Sequence, residues 1–452
     1  MQAGKARRSP FAVPPSRLAA PLRSGTLRLV TRTRPDASML AVEGLEWLLW
    51  SARDTGAGLA WAGTPSADEL DPTLYSGAAG VVLALLEGHH HFGEDRYADA
   101  ARRGGRVIAA AVPEWDHCSL YFGLTGMAVA LGAVDSLLGD PAAHTAAVHA
   151  LQRVRSRFDG DRWSDQFELL GGNAGIALGA LTAGDVELAV LAVTPYARTW
   201  KPTPGGVQWE VRAGTPARFH HISHGTLGIV ASLAAVGRAA GRSELIELAL
   251  AGAADVVARN EAGPSGFLVP HSDPQHRPDL IERHSYGWCH GPAGDAQVFR
   301  LLGAVTADPA WASLADRCWH TITRSGLPRR LRPGFWDNNG RCCGTAGVLA
   351  LACDRHVEQG DDLAFAGVLV DDLATRATVD AAGARWSNHE HRATPCALEP
   401  RTGWAMGNAG IVREVLRFIR AENGRDAAYA VTWPDQPAAE PSGRTKHTNP
   451  SQ

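Results

Sequence analysis

A short glycine motif, Gly-x-x-Gly, recurs seven times along this chain of 452 residues. The paired glycines are Gly77/Gly80, Gly123/Gly126, Gly172/Gly175, Gly225/Gly228, Gly291/Gly294, Gly344/Gly347 and Gly407/Gly410. Successive copies lie 46 to 66 residues apart, and an apolar run follows nearly every copy, which indicates a structural repeat. A repeat of this length accommodates one pair of helices.

The segments between the motifs predict the second helix of each pair. Residues 94–112 and 242–261 place apolar side chains at three- and four-residue spacing, which is typical of an amphipathic helix. Asp140 and Asp308 each precede a proline, the pattern of an N-cap followed by Pro at the first helical position.

An apolar helix belongs inside a fold and an amphipathic one outside. The sequence therefore predicts an all-α fold, a double-layered α/α toroid (barrel) of seven helix pairs, whose Gly-x-x-Gly turns gather on one face. Glycine in these turns is expected to supply positive φ angles and close backbone approach.

The two ends of the chain differ from this pattern. The first 35 residues contain eight Lys or Arg and no acidic residue, so residues 1–38 are expected to form a disordered basic tail, although transit peptides have a similar composition. Residues 426–452 are predicted to be a second disordered tail, which leaves 39–425 for the barrel. No apolar run is long enough for a signal peptide core or an integral membrane segment.

Composition narrows the function. The net charge of -3, with both signs well mixed, argues against nucleic acid as a partner. Seven cysteines are an odd number, which makes a disulfide framework unexpected and favours a cytoplasmic protein with reduced thiols.

Three of the cysteines stand beside glycine motifs in successive repeats. Cys289 lies two residues before its motif, and Cys342 and Cys343 lie two and one before the next. If neighbouring turns are adjacent in space, three thiolates converge, and zinc with three protein ligands and one open position is the catalytic pattern. The alternative is buried apolar packing, which is common for cysteine. That alternative is preferred for the remaining cysteines, Cys118, Cys318, Cys353 and Cys396.

Two histidines are expected near these thiols. His224 immediately precedes the fourth motif and is predicted to lie at the rim of the same site, where it can move protons. His290 follows Cys289 directly and is either a fourth ligand or a residue that lines the site. Lining is preferred, because neighbouring side chains on a turn diverge.

Taken together, these motifs resemble those of the lanthionine synthetase C-like (LanC-like) cyclases. The resemblance covers about residues 40 to 425 and rests on the seven Gly-x-x-Gly repeats, SHG in the fourth, WCHG in the fifth and a cysteine turn in the sixth. It implies a double-layered α/α barrel with one catalytic zinc. It also implies addition of a peptide cysteine thiol to dehydroalanine or dehydrobutyrine, which forms a lanthionine or methyllanthionine ring.

The resemblance assigns the zinc ligands residue by residue. Cys289 matches the first ligand and Cys342 the second, whereas Cys343 stands where most members have histidine. This sequence thus resembles a minority branch that uses three thiolates. Three thiolates leave an anionic zinc unit, which weakens the hold on a substrate thiolate and predicts a more reactive cyclase.

The resemblance also suggests acid–base groups. His224 matches the family histidine proposed as general acid or base, and it is the candidate for the acid that protonates the enolate. Glu168 stands in place of a family aspartate and would orient a histidine or a proton path, the alternative being a plain surface carboxylate. Arg283 lies near the place of a family arginine, out of strict register, as a candidate to stabilise the enolate.

Nothing in the sequence resembles the nucleotide loop or kinase motifs that would dehydrate a peptide. A separate dehydratase and a dehydrated precursor peptide as substrate are therefore expected, with the inserts 201–221 and 260–284 either guiding that peptide or forming ordinary loops. Two alternatives stay open: an enzyme that adds glutathione or another small thiol to dehydroamino acids, and a non-catalytic zinc-bearing peptide-binding module. Helical toroids also include glycosidases, but the turns supply no paired carboxylates for that reaction.

Overall fold

The computed structural model describes residues 36–329, 338–388, 398–434 and 436. The helices are α1 (Ala37–Trp50), α2 (Ala78–Phe92), α3 (Asp95–Ala111), α4 (Leu124–Leu138), α5 (Pro141–Ser156), α6 (Asn173–Thr182), α7 (Val186–Val193), α8 (Tyr196–Thr199), α9 (Thr226–Ala240), α10 (Ser243–Val257), α11 (Pro292–Thr306), α12 (Pro309–Arg324), α13 (Thr345–Gln359), α14 (Ala364–Arg376) and α15 (Asn408–Glu422). The prediction of a mostly helical fold is confirmed. Across these described ranges, no helix combines the length and the apolar character that crossing a lipid bilayer requires.

The first glycine of each motif is the N-cap of a helix. The helices that begin in this way, called the motif helices below, are α2, α4, α6, α9, α11, α13 and α15. They are buried around most of their circumference, whereas α3, α5, α10 and α12 bury one face only. For α2, α4, α6 and α9 this difference follows from their mostly apolar sequences, whereas α11, α13 and α15 bury charged side chains as well.

The motif helices contact one another in a closed series. Each packs against the next in chain order, and the last, α15, packs against the first, α2. Between them, α3, α5, α7, α10, α12 and α14 each pack against the motif helix that precedes them, and α1 packs against α15.

A circle of backbone hydrogen bonds, called the backbone ring below, joins the seven turns. In each turn, the residue two positions before the first glycine donates its N–H to the carbonyl of the equivalent residue in the next turn, at 2.8 to 3.4 Å. The bonds run from Tyr75 to Tyr121, Tyr121 to Leu170, Leu170 to Ser223, Ser223 to Cys289, Cys289 to Cys342, Cys342 to Ala405 and Ala405 back to Tyr75.

The motif glycines are required for close approach. A Cβ added at Gly77 would lie 1.9 Å from the carbonyl oxygen of Asp71, and one added at Gly126 would lie 1.9 Å from that of Leu120. None of the motif glycines has a positive φ, so that part of the prediction is wrong. The chain needs glycine here because six residues upstream its own backbone lies against the turn.

The predicted outer helices begin close to where the sequence indicates. Asp140 accepts hydrogen bonds from the N–H groups of Ala142 and Ala143, and Asp308 accepts one from Ala310. Both aspartates are therefore N-caps, followed by proline at the first helical position, as predicted.

Short strands add to the all-α description. They form four antiparallel pairs: β1 (Arg53–Asp54) with β2 (Leu59–Ala60), β3 (Lys201–Thr203) with β4 (Gly206–Gln208), β5 (Arg218–Phe219) with β6 (Ser272–Asp273), and β7 (Thr378–Asp380) with β8 (Gly383–Arg385). The pairing of β5 with β6 joins the two inserts at 201–221 and 260–284. This contact depends on tertiary structure and has no local sequence signal.

The described part of the predicted C-terminal tail is packed, not disordered. The Trp433 ring stacks on Trp404, with centroids 4.4 Å apart, and its indole N–H donates to the Tyr121 hydroxyl at 3.1 Å. The N–H of Ala430 donates to the carboxylate of Glu87 on α2. The expected disorder from residue 426 onward is therefore wrong for 426–434, while 437–452, like 1–35 and Cys396, lies outside the described residues.

Candidate functional site

Three thiols converge where the fifth and sixth turns meet. The Sγ atoms of Cys289, Cys342 and Cys343 all lie within 4.8 Å of one another, and within the described ranges this is the one group of three or more such side chains that could hold a metal ion. The Cys289 and Cys343 sulfurs are 3.2 Å apart and those of Cys342 and Cys343 are 3.4 Å apart. All three cysteines are buried and none forms a disulfide.

The backbone ring brings these thiols together. The N–H of Cys289 donates to the carbonyl of Cys342 at 3.1 Å, so two residues that are 53 positions apart in the chain become neighbours. Cys343 is the next residue in the same turn. The convergence predicted from the motif register is therefore confirmed as geometry.

The thiol cluster fits a tetrahedral metal ion. Zinc–sulfur bonds of about 2.3 Å place the sulfurs of a tetrahedral site about 3.8 Å apart, close to the separations seen here. Helices α11 and α13 begin two or three residues after the thiols, and the dipoles at their N-termini favour negative charge there. Three soft donors in such a setting suit zinc, with a fourth position left for another ligand.

The thiols differ in acidity. Hydrogen bonds from Cys289 and Cys343 hold the pKa of Cys342 well below its usual range. Burial raises the pKa of Cys289. The hydrogen bonds of Cys343 with Cys289 and Cys342 raise the pKa of Cys343.

A tyrosine that the sequence analysis missed contacts this cluster. The hydroxyl of Tyr75 lies 3.7 Å from the Sγ of Cys342, and burial raises the pKa of Tyr75 well above its usual value. Tyr75 stands two residues before the first motif, the same register as Cys289 and Cys342. This shared position in the repeat is the sequence feature that could have identified Tyr75 as a site residue.

His224 and Glu168 form a pair. Nδ1 of His224 lies 3.3 Å from Oε1 of Glu168, although the two groups are not aligned as a hydrogen bond. The carboxylate of Glu168 is fully buried and accepts from the N–H groups of Leu170, at 2.6 Å, and Gly171, at 3.2 Å. The alternative of a plain surface carboxylate is therefore wrong for Glu168.

His290 lies at the centre of a group of imidazoles. Its ring centroid is 4.1 Å from that of His271, 5.4 Å from that of His224 and 6.2 Å from that of His221. Burial lowers the pKa of His290 well below its ordinary value and that of His271 to about 3. His290 is not a member of the group formed by the three cysteine sulfurs. This favours the prediction that His290 lines the site and is not a metal ligand.

His271 was also missed by the sequence analysis. It stands in the 260–284 insert, beside the β5–β6 pair, and its N–H donates to the carbonyl of Arg283. Because no motif marks it, only the folded structure reveals its position.

Arg283 points its side chain elsewhere. The side chain is 51% exposed, and its guanidinium pairs with Glu261, which also contacts His284. The structure brings Cys289, Cys342, Cys343, His224 with Glu168, and His290 into one region. It does not join the Arg283 side chain to them by any contact among the described residues, so a role for Arg283 stays a prediction.

Comparisons with known proteins agree with this geometry. The family model described as "Lanthionine synthetase C-like protein" matches residues 68–277 and 271–370. Among curated proteins, none matches the sequence significantly.

Solved structures give the fold. The chain is similar to nisin cyclase, with 14% identity and a TM-score of 0.58, over 81% of this chain and 91% of that one. Lower scores are found with unsaturated glucuronyl hydrolase from Bacillus sp. GL1 (13% identity, 87% and 98% covered, TM-score 0.48) and with the α-1,6-mannanase GH76A from Salegentibacter sp. HEL1_6 (11%, 86% and 99%, 0.46). The likeness to nisin cyclase shows that the two chains share a fold.

Proposed function

Because the chain belongs to the lanthionine synthetase C-like protein family, we propose that it is a stand-alone zinc-dependent cyclase that forms thioether rings in a dehydrated peptide. The observation that carries the proposal is the buried, unbridged cluster of three thiols in neighbouring turns. A structural role alone does not require three thiols at this separation beside a histidine–carboxylate pair.

Cys289, Cys342 and Cys343 are the residues that would hold the zinc. When bound there, zinc supplies the positive charge that lowers the pKa of a substrate thiol. Tyr75, beside Cys342, adds a hydroxyl that can donate to the sulfur and temper its negative charge. Burial of all three cysteines excludes water from their sulfurs and strengthens these interactions.

The remaining groups position and protonate the peptide. A peptide cysteine thiol loses its proton, its sulfur bonds to the β-carbon of a dehydroalanine or dehydrobutyrine, and the α-carbon of the resulting enolate takes up a proton. His224 is assigned as the acid for that proton, because its side chain is 26% exposed and can be reprotonated from water. Glu168, fixed by two backbone N–H groups, orients His224.

The closed series of motif helices and the backbone ring support a more detailed description of the fold. We assign the chain to a double-layered α/α barrel of seven helix pairs, in which α1 supplies the outer partner of α15. The barrel extends from Ala37, where α1 begins, to beyond the predicted limit at 425, because 426–434 pack against α2 and α15.

The substrate is assigned as a precursor peptide that a separate dehydratase has modified. The β5–β6 pair joins the two inserts beside His271 and His290, and this surface is the proposed guide for the peptide. A nisin cyclase among the similar structures is consistent with a peptide of this class.

A synthetic peptide with one dehydroalanine and one cysteine tests the activity. Cyclisation leaves the mass unchanged but removes the free thiol, so we expect wild-type protein to abolish labelling by N-ethylmaleimide. Cys289→Ala should lose both the zinc and the activity. Cys318→Ala, which removes a buried cysteine of α12 outside the cluster, is the matched control and should retain both.

The same assay separates the alternatives. An enzyme that adds small thiols would raise the peptide mass by one glutathione when glutathione is supplied, with the peptide thiol still free. A binding module would hold zinc and peptide and form no thioether. Full zinc occupancy in Cys289→Ala would contradict the assignment of the ligands.

A further inference from the structure

A second histidine–carboxylate pair lies near the thiol cluster. Nδ1 of His221 lies 3.0 and 2.9 Å from the two carboxylate oxygens of Asp295, and both side chains are fully buried. His221 stands four residues before the fourth motif and Asp295 directly follows the fifth, so adjacent turns bring them together. With Nδ1–H donated to Asp295, Nε2 is the nitrogen that can accept a proton.

Nε2 of His221 is open to a further partner. It is buried, and no group in the described ranges hydrogen-bonds to it. The His221 ring meets that of His290 edge to face, and His290 directly follows Cys289. A buried polar nitrogen without a partner is costly, which indicates that a substrate group or a water molecule completes it.

This dyad differs from the pair of His224 and Glu168. His221 is bonded to both oxygens of its carboxylate and is shielded from solvent, whereas His224 is partly exposed and poorly aligned with Glu168. A shielded, oriented imidazole suits a base that acts on one substrate proton. A partly exposed imidazole suits an acid that regains its proton from solvent.

His221 differs from two neighbouring imidazoles in having a carboxylate beside it. Burial lowers the pKa of His220 and of His271 to about 3, so both of these rings are neutral near neutral pH. Nδ1 of His221, by contrast, faces both oxygens of Asp295 at 3.0 and 2.9 Å. Asp295 is therefore placed to stabilise a positive charge on the His221 ring.

We propose that the His221–Asp295 dyad accepts the proton that the substrate thiol loses, while His224 gives a proton to the α-carbon. The inference rests on the function proposed above. The S–H bond breaks and its proton goes to Nε2 of His221, directly or through one water molecule. The sulfur electron pair then forms the S–C bond at the β-carbon.

The electron and proton balance closes without a further reagent. The alkene π pair becomes the enolate, and the α-carbon gains a proton from His224. One proton gained by the dyad matches one lost by His224, so returning the dyad's proton to His224 restores both groups. Nothing is oxidised or reduced.

A selenocysteine substrate tests the dyad. A selenol is ionised at neutral pH and needs no base, so a peptide with selenocysteine in place of cysteine bypasses a missing base. We expect Asp295→Asn and His221→Gln to lower the rate of thiol cyclisation about 100-fold, the usual scale for a lost general base. With the selenocysteine peptide, both variants should return to near the wild-type rate.

The matched control is His220→Gln, which removes a buried neighbouring imidazole that does not bond Asp295 and should leave both rates near wild type. Zinc content and thermal unfolding establish that each variant is folded, and the nearly isosteric Asp295→Asn carries the test if His221→Gln is unstable. Wild-type rates in both dyad variants, or equal losses with both peptides, would overturn the dyad. A wild-type protein that cyclises neither peptide would instead overturn the proposed function.

Discussion

At the scale of single residues, much of the candidate site comes from the two positions before the first glycine of a motif. Cys289, Cys342 and Tyr75 occupy the first of these positions, and Cys343, His224 and His290 the second. The sequence predicted the three thiols and His224 because their register is visible in the motifs. It did not predict His271 or the pairing of His221 with Asp295, because those contacts join segments that only the fold brings together.

Cys343 sets the charge of the cluster. A zinc unit with three thiolates carries one more negative charge than one with two thiolates and an imidazole. We expect Cys343→His to retain zinc and to slow or redirect cyclisation, because the neutral unit holds the substrate thiolate more tightly. Time courses on a dehydrated peptide with two possible rings check this, and an unchanged rate and product pattern would contradict it.

Glu168 is expected to act through His224. Glu168→Gln keeps the shape of the side chain but removes its charge, so we expect a loss of about 10- to 100-fold in kcat, with little change in KM, for a proton transfer that loses its orienting group. Glu358→Gln, which removes an exposed carboxylate that pairs with Arg300, is the control. A loss confined to KM would assign Glu168 to peptide binding instead.

At the scale of elements, the glycine motif determines where seven helices begin. The sequence predicted these starts because the reason is local: each turn lies against backbone six residues upstream. The strand pair between the two inserts could not be predicted, because β5 and β6 are only two residues long and α9 and α10 lie between them in the chain.

Two glycines of α4 differ in whether a larger residue can replace them. Gly126→Ala forces a Cβ to 1.9 Å from the carbonyl oxygen of Leu120, so we expect a loss of about 1–3 kcal/mol in the free energy of unfolding. Gly132→Ala, on the same helix, meets nothing within 4 Å and should gain about 0.5–1 kcal/mol. Urea unfolding of both variants measures the difference, and equal stabilities would refute the close-approach explanation.

At the scale of the whole molecule, the C-terminal segment is part of the core. Arg413 and Arg417 of α15 donate to the carbonyls of Val431 and Ala427, and Arg420 pairs with Glu87 of α2. Composition alone predicted disorder here, because a short polar segment with prolines gives no sign that buried arginines of another element need its carbonyl groups.

Trp433 anchors that segment. We expect Trp433→Ala to lower the free energy of unfolding by about 3–5 kcal/mol, because it removes a buried ring that stacks on Trp404. Trp50→Ala, which removes a tryptophan that is 61% exposed on α1, should have a small effect. Similar losses in the two variants, measured by thermal unfolding at matched zinc content, would show that the segment is not anchored in this way.

The buried imidazoles make stability depend on pH. The pKa of His220 is about 3 in the folded protein and 6.5 in the unfolded chain. Between pH 3 and pH 6.5, the unfolded state therefore binds one proton more than the folded state. The free energy of unfolding therefore falls as the pH drops from about 6.5 toward 3, by up to about 1.4 kcal/mol per pH unit for this one group. His220→Gln should flatten the measured slope by that amount, with exposed His149→Gln as the control for loss of an imidazole.

The backbone ring makes no use of side chains. Its seven hydrogen bonds join main-chain N–H and carbonyl groups, whether the residue is Tyr75, Leu170, Ser223 or Cys289. A reactive side chain can thus be gained, lost or moved to the next turn by a single substitution, with every bond of the ring intact. Natural or designed substitutions can therefore place reactive side chains in different turns while the backbone ring stays the same.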